Sequence, residues 1–100
     1  MEMRVDWSEK AIEDLSAILD FYKGDEGKNR AMSIIKCVDR LIVMPKLGKM
    51  ISETKNRAHP FRILIDDVYK IIYYIDEPYI HIAGIFDCRQ DIKKLKKLFK

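Results

Sequence analysis

The chemistry this chain could perform is carried mainly by arginine and lysine. Lys46, Lys49, Lys55 and Arg57 share one stretch without apolar periodicity. Arg62 and Arg89 stand in or beside strand-like segments, and Lys93, Lys94, Lys96, Lys97 and Lys100 close the sequence. Arginine is permanently charged and carries a planar fork that matches phosphate oxygens. Arg62 alternates with Phe61 and Ile63, so it faces away from them. If neighbouring strands align, Arg62 and Arg89 approach each other on the sheet face that helices leave open. There they could hold a phosphodiester and stabilise charge developing on it. Ordinary ion pairing is an equally good use of both: Arg62 with Asp66 or Asp87, and Arg89 with Asp87 or Asp91.

Other chemistries have weaker support. A metal site needs three or four convergent ligands, and Cys37, Cys88, His59 and His81 show no CxxC or HxxxH spacing. No metal and no cofactor is expected. There is no GxSxG and no phosphate-cradling glycine loop, and only Ser52 of the serines lies near the basic stretch. His81 alternates with isoleucines and His59 precedes Pro60, so both read first as sheet-associated residues. Tyr69, Tyr73, Tyr74 and Tyr79 could stack on bases, although strand tyrosines more often pack across strands.

The background of these residues is 100 residues long, 48% hydrophobic and 35% charged, with four Gly and three Pro. That composition argues for one domain spanning 1–100 with a single core, and against disorder or a collagen-like chain. No apolar run approaches the roughly 20 residues that span a bilayer, and the start has no leader pattern. Two cysteines are too few for a disulfide scaffold, so a cytoplasmic protein with reduced thiols and no membrane partner is expected. The net charge of +3 is a property of the tail, since without its five lysines the chain would carry −2. A basic tail suits an anionic partner, a nucleic acid or an acidic peptide, and also suits plain solvation.

The positioning elements follow from periodicity. Residues 3–6 read as a short strand. Ser8 is placed to cap a helix, with Trp7 and Ile12 spaced as a hydrophobic staple and Gly24 at the far end. Ile12, Leu15, Ile18, Leu19 and Tyr22 make its apolar stripe. After a break at residues 24–27 a second stripe runs Ala31, Ile34, Ile35, Val38, Leu41, Ile42, until Pro45 stops it. Residues 46–60 read as an exposed basic loop. From Phe61 three β-branched, aromatic runs separated by Asp66-Asp67 and Asp76-Glu77-Pro78 predict an antiparallel meander. The expected architecture is α+β, in the order β-α-α-β-β-β, with a helical hairpin packed on one face of a small, mainly antiparallel sheet. Ile12, Leu15, Leu19, Ile34, Val38, Leu41, Ile71 and Ile82 are expected in the core.

In this order the pieces resemble a known family. Val5-Asp6-Trp7-Ser8-Glu9-Lys10-Ala11 with Asp14-Leu15, Pro45 with Gly48, Arg62, Tyr69-Lys70-Ile71-Ile72-Tyr73, and Ile85-Phe86-Asp87-Cys88-Arg89-Gln90-Asp91 together are similar to RelE/ParE-type toxins. The resemblance covers nearly the whole chain. It implies the toxin of a bacterial type II toxin–antitoxin pair, neutralised by a cognate antitoxin. It leaves two targets: messenger RNA cut on the ribosome without a metal, as in RelE-like members, or DNA gyrase poisoned by binding, as in ParE-like members. An inert interaction module descended from such toxins is a third reading. Arg62 and Arg89 would be catalytic only in the nuclease. Lys46, Lys49, Lys55, Arg57 and the tail lysines Lys93, Lys94, Lys96 and Lys97 would contact a target or nucleic acid. The tail lacks the tyrosine or histidine that nuclease members carry near the C-terminus, which tilts the expectation towards gyrase. A homodimer and a toxin–antitoxin hetero-oligomer both stay open.

Overall fold

The computed structural model describes residues 2–89. Strand β1 (Arg4–Trp7) leads directly into helix α1 (Glu9–Phe21), and α2 (Asp25–Val43) returns antiparallel to it. Then come a short strand β2 (Lys49–Met50), a single 3-10 turn at Ser52–Thr54, and the meander β3 (Phe61–Asp66), β4 (Tyr69–Asp76) and β5 (Tyr79–Asp87). The sheet has five strands in the order β1-β5-β4-β3-β2, with β1 parallel to β5 and the other pairs antiparallel. The expected α+β architecture is therefore found, with a fifth strand added from the segment read as loop.

Local chemistry accounts for the element ends. The Ser8 hydroxyl accepts from the Ala11 amide at 3.0 Å and donates to the Ala83 carbonyl at 3.0 Å, capping α1 while tying it to β5. Gly24 does not end α1; with φ +64° it makes the turn into α2, which begins at Asp25. Gly27 consequently lies inside the first turn of α2. A Cβ there would sit 2.4 Å from the Leu19 carbonyl oxygen, so only glycine lets the two helices meet so closely. Pro45 follows the last residues of α2, as expected. Two-residue loops join β3 to β4 and β4 to β5, and Asp67 takes the left-handed conformation that the first one needs, with φ 55°.

The main core lies between α2 and one face of the sheet. Ile34, Val38 and Leu41 of α2 meet Leu64, Ile71, Tyr73, Ile80 and Ile82. Each such side chain contributes roughly 1.5–3 kcal/mol through burial. Helix α1 behaves differently. Ala11 is its one fully buried residue, Leu15 and Ile18 pack partly, and Ile12 and Leu19 are 55% and 42% exposed. The expectation that Ile12 and Leu19 are core is thus corrected. Beyond Trp7 β1 has ended, and α1 takes its place beside the free edge of β5 rather than lying flat on the sheet. The Asp14 carboxylate accepts from the Ile85 amide at 2.9 Å, supplying that edge with the partner a strand would have provided. Trp7 packs against the main core, whereas Ile12, its expected staple partner, is 55% exposed.

The opposite face has its own smaller cluster: Ile51, Phe61, Ile72 and Phe86, with Ile63, Tyr74 and Ala83 packed around it. Ile51 comes from the 46–60 segment, which folds against this face instead of standing off as a loop. Thr54 fastens it: its hydroxyl donates to the Ile51 carbonyl at 2.7 Å and accepts from the Phe61 amide at 2.9 Å.

Candidate functional site

Alternation along β3 places Arg62 opposite Phe61 and Ile63, as the sequence predicts. The face it occupies is the one the helices cover. Arg62 is in register with Tyr73, and its guanidinium donates to the main-chain carbonyls of Gly48 and Lys46. The Tyr73 hydroxyl donates to the Pro45 carbonyl at 2.8 Å and accepts from the Gly48 amide at 2.8 Å. Burial raises the Tyr73 pKa above its ordinary value, keeping the hydroxyl protonated as this arrangement requires. Gly48 is needed here, because a Cβ would lie 2.7 Å from both the Tyr73 ring and the Ile63 carbonyl.

Arg89 lies at the other end of the same face. It follows Asp87, which is in register with Tyr69, four residues along β4 from Tyr73. At about 3.3 Å per residue that offset alone is about 13 Å. The expected meeting of Arg62 and Arg89 on the helix-free face is therefore corrected in both respects: the face is the covered one, and the two stand at opposite ends of it.

What surrounds Arg89 is a dense network of side chains. Its guanidinium grips the Asp87 carboxylate through Nε and Nη2, at 2.8 and 2.5 Å. This is one of the ion pairs the sequence left open. The grip holds the Asp87 carboxyl down at about 2, and the Arg89 pKa is raised in return. The Tyr69 hydroxyl donates to Tyr22 at 3.5 Å, and Arg89 also hydrogen-bonds Tyr22. With two donors on its oxygen, chiefly Tyr69, Tyr22 has a lowered pKa; Tyr69, buried and giving its proton to that bond, has a raised one. Arg30 joins from α2, with its guanidinium 4.2 Å from the Tyr22 ring centre, 3.4 Å from the Tyr69 hydroxyl and 3.1 Å from Glu26. Sequence inspection missed this group because its members come from four different elements.

The remaining basic candidates stay on the surface. Lys46, Lys49, Lys55 and Arg57 are all exposed, and the Arg57 guanidinium lies 5.1 Å from the Phe61 ring centre. Lys93, Lys94, Lys96 and Lys97 lie outside the described residues. The two histidines are on the helix-free face. His81 is in register with Tyr74 on one side and with Asp6 on the other, and its Nδ1 is 2.9 Å from the Asp6 carboxylate. His59 stacks on Tyr74 from the preceding loop. Neither histidine therefore shares a face with Arg62 or Arg89. On the helical side, by contrast, large apolar groups are left uncovered. Phe21, Met32, Val43 and Met44 are 78%, 51%, 83% and 53% exposed, in addition to Ile12 and Leu19. Met44 also helps line an open cleft of about 380 Å³ with Pro45, Leu47 and Ile75, flanked by Lys46 and Glu77.

Comparison with known proteins fits this arrangement. Residues 5–92 match the family model described as the ParE toxin of the type II toxin–antitoxin system parDE. The chain belongs to the ParE toxin family. Among solved structures it is similar to one titled as the chromosomal ParDE system of P. aeruginosa, with a TM-score of 0.68 at 20% identity, covering 86% of this chain and 96% of that one. At that identity the likeness is one of fold. No curated protein matches the chain. The ParE assignment narrows the RelE/ParE resemblance to its second branch. Among the described residues of this ParE toxin, no helix is long and apolar enough to cross a membrane.

Proposed function

We propose that this ParE toxin acts in the cytoplasm by binding DNA gyrase and poisoning it, and that a cognate antitoxin neutralises it by covering the apolar surface of its helical hairpin. The observation that supports binding over RNA cleavage is the separation of the charged groups. Cleavage through a 2′-hydroxyl needs a base, a charge stabiliser and an acid around one phosphate. Arg62 is bonded to main-chain carbonyls at one end of the covered face and Arg89 to Asp87 at the other, while both histidines lie across the sheet. Among the described residues, no single phosphate could reach Arg62, Arg89 and a histidine together in this geometry. Membership in the ParE family supports gyrase as the target.

The antitoxin reading draws on the exposed Ile12, Leu19, Phe21 and Met32, a set of large apolar anchors of the kind that carries binding energy at interfaces. The cleft beside Met44 and Leu47 would take one further apolar side chain. Charge on the partner would mainly raise the association rate.

Induction in a bacterial host tests the target. Supercoiling by gyrase should be inhibited, while transcripts on translating ribosomes stay intact. Codon-phased cleavage that vanishes in Arg62→Ala and Arg89→Ala would overturn the proposal and establish the nuclease. Co-expression with the adjacent gene tests the partner, and independent elution of the two products would count against neutralisation by that protein.

A further inference from the structure

The helix-free face carries a row of rings that continues outward from its small apolar cluster. Phe61 of β3, Tyr74 of β4, His81 of β5 and Asp6 of β1 stand side by side in register across four strands. Tyr74 and His81 are stacked, with ring centres 4.7 Å apart and planes 24° apart. His59 stacks on Tyr74 at 6.1 Å, and Tyr79 flanks His81 at 5.8 Å. The two outer rings are the exposed ones: His59 has 46% of its side chain open to solvent and Tyr79 is 42% exposed. Phe61 is buried in the smaller cluster and Tyr74 packs against it, but the outer faces of His59 and Tyr79 remain open to solvent.

The charges on this face favour an anionic guest. Three nearby carboxylates have partners: Asp6 has His81 at 2.9 Å, Asp76 has His59 at 3.8 Å, and Asp14 has Lys10 at 2.8 Å and the Ile85 amide. They orient the rings and the neighbouring lysine. Basic groups surround them. Arg4 is in register with Tyr79, Lys49 with Ile63, and Lys70 with Phe86, so strand alternation puts all three on the same side as the rings. Lys10 lies 4.6 Å from the Phe86 ring centre and Arg57 lies over Phe61. Rings for bases within a basic border for phosphates is the combination by which single strands are bound without sequence readout. Paired bases would keep their faces to themselves.

We propose that this face is a stacking platform for single-stranded nucleic acid, with bases on the outer faces of His59 and Tyr79 and phosphates along Arg4, Lys49 and Lys70. The proposal stands apart from the gyrase reading, because it is read on the purified protein alone.

The test is fluorescence anisotropy with labelled oligothymidylate and oligouridylate of about 15 nucleotides, long enough for one such face, against a duplex of the same length. Both single strands, or one of them, should bind on the order of 10-fold more tightly than duplex, and the difference between them says whether the guest is DNA or RNA. The double change His59→Ala with Tyr79→Ala should weaken single-strand binding on the order of 10- to 100-fold. Tyr79→Phe keeps the ring and should keep the affinity, which separates stacking from any loss of folding. Lys49→Gln with Lys70→Gln should flatten the salt dependence. Equal affinity for duplex would overturn the proposal. So would binding that survives loss of the two rings but disappears when Lys93, Lys94, Lys96 and Lys97 are changed to Gln. Ring variants that lose gyrase or antitoxin while keeping oligonucleotide affinity would overturn it too and make the face a protein interface.

Discussion

At one end of the helix-covered face, Arg62 and Tyr73 direct their hydrogen bonds at main chain: the carbonyls of Pro45, Lys46 and Gly48 and the Gly48 amide. At the other end, Arg89 and Tyr22 bond side chains, Asp87 and Tyr69. Tyr73 is fully buried, whereas 66% of the Arg89 side chain is exposed. The first pair fixes the path of the backbone from the end of α2 into β2, together with the Leu47 amide, which donates to the Met44 carbonyl at 3.0 Å. The second pair joins the buried Tyr69 hydroxyl to the exposed, solvated Arg89. The same residue types thus do structural work at one end and leave an adaptable, solvated cluster at the other.

The contrast is tested most severely by removing the two tyrosines. Tyr73→Ala should cost about 3–5 kcal/mol, the range for deleting a large aromatic from a core. Tyr22→Ala should cost clearly less, since its ring is partly solvated and one of its two partners, Arg89, is exposed. Urea denaturation with unchanged m-values measures both. Equal losses would erase the distinction between the two ends.

A finer test keeps the rings and removes only polar atoms. Tyr73→Phe leaves the Gly48 amide and the Pro45 carbonyl without their partner, and should cost about 1–3 kcal/mol. Arg89→Gln should leave the urea midpoint nearly unchanged. A neutral Tyr73→Phe would mean that water replaces the hydroxyl and that the first end is not held by its bonds.

Periodicity made much of this legible before any coordinates. The α2 stripe, the Ser8 cap and all three meander strands fall where the sequence puts them, because each is written locally in 3.6- or 2-residue spacing. What failed needed longer-range information. Ile12 and Leu19 read as core because periodicity reports an amphipathic helix without saying that β1 would end at Trp7 and leave α1 at an edge. Lys49–Met50 is too short to show alternation, and its place as a strand is set by the Tyr73 hydroxyl holding Gly48. Alternation puts Arg62 on the side opposite Phe61 and Ile63, yet those two look as apolar as Leu64 on the other side, so the chain does not announce which side the helices choose. Asp6 joins the His59–Tyr74–His81 row only through the parallel pairing of β1 with β5, across most of the sequence.

The smallest expected effect is also the most specific to one end. The folded-state pKa of Asp87 is about 2, against an ordinary value of 3.8, because Arg89 donates to both its oxygens. A depressed carboxyl pKa adds stability that is fully present above the unfolded value. That contribution is lost as pH falls through the folded one, here between about 4 and 2. Arg89 keeps its charge throughout this range, so the change belongs to Asp87. The carboxylate is close to solvent, so the gain is modest and should shrink in high salt. Asp87→Asn removes it. Urea midpoints of the two proteins should therefore differ above pH 4 and converge as pH falls towards 2. The other carboxylates are common to both and cancel in the difference. Curves that stay parallel over this interval would show that the Arg89 end carries no charge-dependent stability, and the remaining contrast with the Tyr73 end would be one of burial alone.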